Sequence, residues 1–267
     1  MLFAEQLALT DRGLHYGDGL FETMAVVDGR VRLLPRHLHR LAHGSARLAI
    51  ALPDLSALET ALQEVAQSMG EGVLKLIITR GSGGRGYAPP QDAEPTLILL
   101  RYPQNLPTLD DAQAGIVLRL CTLRLARQPV LAGIKHLNRL EYVLARAEWH
   151  EPEIAEGLLL DTQGELIEAV ASNVFIVKSG CIFTPCLDQC GVAGVMRAEV
   201  LACAERLGVA VGEARLCLDD VLSADEVFLT NSLHTIRPVR VLHEHREWAV
   251  GALTLRLQHA LWGALCV

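Results

Sequence analysis

The sequence predicts an α+β fold built in two halves. Its β-rich runs pair up around Asp28-Gly29, Gln163-Gly164 and Ser179-Gly180, short turn sequences of the kind that reverse a hairpin. Its helical stretches separate these hairpins instead of following every strand, which argues against a doubly wound parallel sheet. Residues 102–111, YPQNLPTLDD, hold two prolines, an asparagine and two aspartates, a composition that suits a linker. The expected division is a small unit over 1–104, a linker over 105–111 and a larger unit over 112–267.

FETMAVV and RVRLL flank the first turn. Pro35 then suits the opening turn of a helix, where its missing N–H costs nothing. Leu38, Leu41, Leu48 and Ile50 mark an apolar stripe along that segment. A second helix is predicted over about 55–69, followed by strands at GVLKLIITR and PTLILLRY. In the second half IVLRLCTL reads as a strand and NRLEYVLARAEWH as a helix. EGLLLDTQGELIEA and SNVFIVKSGCIFTP read as hairpins. VMRAEVLACAERL is a helix stopped by Gly208 in the C′ position. DEVFLTNS is a strand, and AVGALTLRLQHALWGAL is a closing helix.

With 51% hydrophobic and 21% charged residues, the chain has the composition of a folded protein with a core, not of a disordered one. The balance of 24 basic against 31 acidic residues gives −7, which disfavours charge-driven binding to nucleic acid or an anionic membrane. MLFAEQLALTDRG lacks the basic start and cleavage site of a signal peptide, and no apolar run approaches the roughly 20 residues of a membrane span. The seven cysteines, Cys266 included, are odd in number and scattered, as in a reduced cytoplasmic protein. Cys181, Cys186 and Cys190 lack zinc-site spacing. His37, His39 and His43 read as a solvated helix face. No metal is expected.

Three stretches could carry chemistry. Residues 81–86, GSGGRG, match a dinucleotide fingerprint in form, but YAPPQDAEP follows in place of the helix that a pyrophosphate requires. What remains is a glycine loop with Arg80, Arg85 and Tyr87, either a carboxylate receiver or a plain surface loop. In QCGVAGVMRAEV, Gly191 and Gly194 lead directly into a helix, whose free N–H groups suit a monophosphate or simply begin a helix. Only three lysines exist. Lys75 lies in an alternating strand and is read as pointing to solvent. Lys178 ends a strand beside a turn. Lys135, in LAGIKHLNRLEYVL, has apolar residues before it and a helix after it. There it is either a desolvated, nucleophilic amine or a solvated lysine at a helix entry.

HYGDGLFET, HLHRL, GIKHLNRLEYVLARAE, IEAVASNVFIV, GVAGVMR and EVFLTNS occur in this order and span roughly residues 10–240. Together they resemble the fold-type IV pyridoxal-phosphate enzymes, which include D-amino-acid aminotransferases, branched-chain aminotransferases and aminodeoxychorismate lyases. The resemblance implies the two-domain architecture of the D-amino-acid aminotransferases, with pyridoxal 5'-phosphate between the domains. RGSGGRGY and the block around GIKHLNRLE are most similar to the lyase branch. That branch implies conversion of 4-amino-4-deoxychorismate to 4-aminobenzoate and pyruvate in folate biosynthesis. The alternatives are a D- or branched-chain aminotransferase, or a binding protein that has lost the chemistry.

The resemblance also implies roles. Lys135 is the Schiff-base lysine and the acid and base of the reaction. Glu168 pairs with the pyridine nitrogen. Arg40 holds the phosphate with the backbone N–H groups of Val195 and Met196 and the side chains of Asn231 and Ser232. Arg85 and Tyr87 match positions that bind a substrate carboxylate in related D-amino-acid enzymes, with Arg80 as a further candidate. The loop over 80–90 reaches a neighbouring subunit's site in those relatives, which implies a homodimer. Phe21 stands where D-amino-acid aminotransferases usually carry tyrosine, and the tyrosine that follows the lysine in the branched-chain pattern is missing among His136, Leu137, Asn138, Arg139 and Leu140. Asn138 is implied as a cofactor or substrate contact.

Overall fold

A computed structural model describes residues 3–265; Cys266 lies outside them. The described chain divides into two units. One runs up to Leu106 and includes Ile134–Arg139. The other combines Pro107–Gly133 with the chain from Leu140 onward. The segment carrying Lys135 therefore belongs with the first unit, although sequence order suggested the second. Its backbone is bonded to the first strand: Phe21 donates to the Lys135 carbonyl at 3.0 Å, and Leu137 donates to Gly19 at 3.0 Å.

The first unit opens with α1 (Arg12–Tyr16), whose N-cap Asp11 accepts from the Gly13 N–H. Strand β1 (Gly19–Val27) turns into β2 (Arg30–Val31). Asp28 and Gly29 both take positive φ, 49° and 70°, the primed turn that follows strand twist. Helices α2 (Leu34–Leu48) and α3 (Leu55–Met69) come next, then β3 (Gly72–Thr79) and β4 (Thr96–Tyr102). The sheet order is β2-β1-β3-β4, antiparallel throughout. One face of β1 and β3 supplies Leu20, Met24, Val26, Leu74, Leu76 and Ile78 to a core shared with Leu38 and Leu41 of α2 and Leu58 and Leu62 of α3. Strand alternation places Glu22 on that same buried face, where it is 2% exposed. Phe21 and Thr23 take the other face, opposite Ile77 and Lys75.

The predicted linker is partly helical. Thr108 and Asp111 form a reciprocal capping box at α4 (Leu109–Gln113), so the aspartates start a helix instead of solvating a loop. The second unit continues with β5 (Ile116–Leu125), α5 (Leu140–Arg146), β6 (Ile154–Asp161), β7 (Leu166–Ala169), β8 (Asn173–Lys178) and β9 (Cys181–Pro185). Then follow α6 (Val195–Arg206), β10 (Val211–Ala214), α7 (Leu218–Leu222), β11 (Glu226–Asn231), β12 (Thr235–Leu242), β13 (Arg246–Glu247) and α8 (Ala252–Leu265). Gly208, at φ 67°, follows α6 as predicted.

The nine strands run β10-β9-β8-β11-β12-β5-β6-β7, with β13 on β12. The predicted hairpins are present, but β9–β10, β12–β5 and β5–β6 are parallel. Phe175 and Val177 of β8 pack with Val200 of α6 and Leu257 of α8. Val174 and Ile176 enter a separate core with Leu158 and Leu229. A strand buried on both faces reads as a continuous apolar run, which is why NVFIVK shows no alternation. Strand β12 is not among the predicted strands, and its Pro238 is a residue that disfavours an interior strand. The chain accommodates it: β12 meets β5 only from Val239 onward, through a register shift between Val239 and Val241. Among the described residues no helix is long and apolar enough to cross a membrane.

Candidate active site

In the first unit, Lys135 Nζ lies 4.3 Å from the centroid of the Phe21 ring, and Lys75 Nζ lies 5.3 Å from the same ring. Lys75 therefore does not simply face solvent: strand register puts it on the Phe21 side of the sheet. Buried Ile134 anchors the lysine segment in the core. Arg139 closes the following turn by donating to the carbonyls of His136 and Ile134. Burial and the Arg139 charge push His136 down to about 4, so it is neutral at physiological pH. The Asn138 amide donates to the Gly17 carbonyl at 3.0 Å. That side chain fastens the lysine loop to the end of α1.

Beside this segment lies a buried ionic group that the sequence reading missed. Glu22 Oε1 accepts from Arg40 Nε at 2.7 Å, and Oε2 accepts from an Arg40 terminal nitrogen and from His37 Nδ1. His37 is 1% exposed, so the predicted solvated face excludes it, while His39 and His43 are exposed. Burial alone would raise the Glu22 pKa, but Arg40 and His37 outweigh it and hold the carboxyl at about 2. Burial holds His37 below its ordinary value against the pull of Glu22. A neutral ring donating Nδ1–H to a carboxylate already paired with Arg40 satisfies both. The available signal was a lone carboxylate in phase with Leu20, Met24 and Val26, since a buried charge requires a partner.

The glycine loop follows β3. No helix begins there, in keeping with rejection of the nucleotide reading. Arg85 is exposed, and Tyr87 is 86% exposed. Arg80 does something else: it forks onto both oxygens of Asp18 and donates to the carbonyls of Ala49 and Leu48 at the end of α2. Its guanidinium caps a helix C-terminus, so its donors are engaged within the fold.

In the second unit, Glu168 of β7 is 3% exposed. Its Oε1 accepts the Tyr142 hydroxyl at 2.5 Å, and its Oε2 accepts from Val192 N–H at 3.1 Å and Asn173 Nδ2 at 3.3 Å. Asn173 also donates to the Val192 carbonyl, tying the carboxylate to the glycine turn before α6. A Cβ at Gly194 would stand 2.0 Å from Asn173 Oδ1, so the turn passes where only glycine fits. Gly194 is also the N-cap of α6, with no side chain capping it. The first-turn N–H groups of Val195 and Met196 precede the helix's own ladder, which begins with Ala198 donating to Gly194, at the end of the helix where negative charge is favoured.

Asn231 and Ser232 lie at the turn between β11 and β12. Asn231 donates to Ser172 at 3.0 Å and accepts from the N–H groups of Leu233 and His234. Ser172 in turn donates to Glu156, which also pairs with Arg237. The amide of Asn231 is thus engaged in shaping the turn, while Ser232 is half-buried within it.

The first unit thus holds a lysine over an aromatic ring and an arginine–carboxylate pair, the second a buried carboxylate and an uncapped helix entry, and the fold that carries them is that of a fold-type IV enzyme. The amino-transferase class IV family matches residues 19–242, and the chain belongs to that family. It is 38% identical over 254 residues to the aminodeoxychorismate lyase of Vibrio harveyi, covering 94% of this chain and 93% of that one. The crystal structure of 4-amino-4-deoxychorismate lyase from Pseudomonas aeruginosa is 51% identical with a TM-score of 0.94, over 99% and 97% of the two chains. A D-alanine aminotransferase of Listeria monocytogenes is 30% identical, over 86% of this chain and 80% of its own.

Proposed function

We propose that this protein is a pyridoxal-phosphate-dependent lyase converting 4-amino-4-deoxychorismate to 4-aminobenzoate and pyruvate. The observation that carries this reading beyond the family is the floor beneath Lys135. It is a phenyl ring, Phe21, without the hydroxyl that D-amino-acid aminotransferases usually carry there, and the tyrosine that follows the lysine in the branched-chain pattern is missing as well. The identities with two lyases support the same assignment.

The residues fit the cofactor. Glu168 has the buried, donor-held position of a carboxylate that keeps a pyridine nitrogen protonated. Arg40 and the entry to α6, through Val195 and Met196, have the chemistry of phosphate ligands. Ser232 is retained as a phosphate partner by its hydroxyl; Asn231 contributes by holding the turn that carries it. When bound, pyridoxal phosphate supplies an electron sink and an aldehyde for the substrate amine.

Lys135 Nζ takes the proton from the amine-bearing ring carbon of the substrate. It then returns a proton to the methylene of the departing enolpyruvyl group, which leaves as pyruvate. One amine serves as base and then as acid because the proton it removes is the proton it donates. Arg85 and Tyr87 are assigned to the substrate carboxylates. The aromatic product supplies the driving force, while the protein supplies position and charge. We further assign the protein to folate biosynthesis, to the cytoplasm, where the six free cysteines of the described residues stay reduced, and to a homodimer.

The test is a coupled assay of 4-aminobenzoate and pyruvate from enzymatically made aminodeoxychorismate. Many turnovers without a 2-oxo acid are expected, and Lys135→Ala abolishes both the turnover and the visible absorbance, at roughly 410–430 nm, of the bound cofactor. A strict requirement for a 2-oxo acid acceptor makes the protein an aminotransferase instead.

A further inference from the structure

We propose that Arg12 is the positioning residue of the substrate loop: its guanidinium holds residues 86–88 and thereby sets where Arg85 and Tyr87 stand. The inference rests on the substrate role assigned above to that loop, but its geometry is independent of that role. Arg12 is 4% exposed. Its Nη2 donates to the Tyr87 carbonyl at 2.9 Å, and its Nη1 donates to Gly86 at 3.2 Å and Ala88 at 3.4 Å. Three successive carbonyls thus converge on one cation. Nε is held by Asp18 at 2.9 Å, and Asp18 is itself gripped by Arg80.

The loop is secured differently at its two ends. At its start, the Arg12 N–H donates to the Gly81 carbonyl and Gly83 N–H to Thr10, with Asp11 bridged to Ser82. At its far end, the Arg12 guanidinium takes over. Arg85 projects from the stretch between these two anchors. A Cβ on Gly83 would stand 2.9 Å from Arg12 Cδ, so this glycine leaves room for the arginine stem. The same guanidinium lies 4.8 Å from the Tyr16 ring, which is 5.5 Å from that of Tyr87. Lysine cannot reproduce this arrangement, because one ammonium lacks the planar fork that reaches an acid and three carbonyls together.

The inference is tested on cofactor-loaded Arg12→Lys by limited trypsin digestion, with cleavage after Arg85 followed by mass spectrometry, and by steady-state kinetics. Losing one charge-assisted bond is expected to speed that single cleavage about tenfold or more and to raise KM by a similar factor, with kcat within about twofold. Gly83→Ala, which keeps the guanidinium but crowds its stem, is expected to shift both in the same direction; it also serves if Arg12→Lys does not fold. Unchanged cleavage after Arg85 in the folded variants overturns the proposal. So does a rise at all tryptic sites with kcat and KM both degraded, which marks a general loss of structure. If cleavage accelerates but the protein shows no lyase turnover at all, the clamp stands and the assigned function fails.

Discussion

Tyr142 donates its hydroxyl to Glu168 at 2.5 Å, joining the helix that follows the lysine segment to the carboxylate assigned to the ring nitrogen. A hydrogen bond to a charged group contributes about 1.5–3 kcal/mol. Tyr142→Phe is therefore expected to weaken cofactor affinity or kcat by about 10- to 100-fold, with little change of fold. Titration of the apo-protein with pyridoxal phosphate, followed by absorbance, reads the first, and the pyruvate assay reads the second. If neither moves, the hydroxyl is incidental.

Glu22 links Arg40 and His37 in a buried group, so removing its charge breaks the carboxylate pairing of the Arg40 cation. Glu22→Gln is expected to cost about 3–5 kcal/mol in urea unfolding near neutral pH. The pH dependence has a definite sign. The folded carboxyl titrates at about 2, below its ordinary 4.5. Its stabilisation is complete above about 4.5 and is lost as pH falls toward 2. The stability gap between wild type and variant should narrow across that window; a constant gap would show that the charge is not what matters.

His136 and His234 titrate at about 4 in the folded chain instead of 6.5, because burial disfavours their charged forms and Arg139 or Arg237 repels a proton. The unfolded chain takes up these protons first as pH falls. Stability is thus highest above about 6.5, declines toward 4 and changes no further below it through these groups. His234→Gln is expected to flatten part of that decline in denaturant titrations. It should leave the pH–rate profile between 5 and 8 unaltered in shape, since the neutral ring does not titrate there.

Arg80 and Arg85 are five residues apart but are assigned different tasks. Arg80→Met removes four bonds to Asp18 and the end of α2, and it should lower the melting temperature by several degrees, at about 2–4 °C per kcal/mol for a chain of this size. Arg85→Met should leave melting unchanged and raise KM. Calorimetry and kinetics on both variants separate the assignments; the opposite pattern would exchange them.

Much of the architecture was legible because local chemistry determines it. Asp28-Gly29 and Ser179-Gly180 reverse the chain through positive φ, a preference those residues carry into any context. Gly208 follows α6 for a similarly local reason. The order of motifs pointed to the family, whose model matches residues 19–242. Strand β12 was hidden because its tolerance of Pro238 depends on where a neighbouring strand begins to pair.

By itself, then, the sequence determined the α+β class, the turns, the helix ends and the family to which the motifs belong, since each rests on spacing and backbone preference. The tertiary structure alone decided which polar groups are committed. Arg80 and Arg85 are both carboxylate candidates in RGSGGRGY, as Asn138 and Asn231 are both candidate contacts. Only the folded chain shows that Arg80 is held by Asp18, Asn138 by Gly17 and Asn231 by its own turn, and that Glu22, His37 and Arg40 meet in the core. Apart from the Asn231 turn, those outcomes depend on partners 15 to 121 residues away. A side chain's charge and hydrogen-bonding capacity are properties of the residue, but whether they are already satisfied is a property of its neighbours in space.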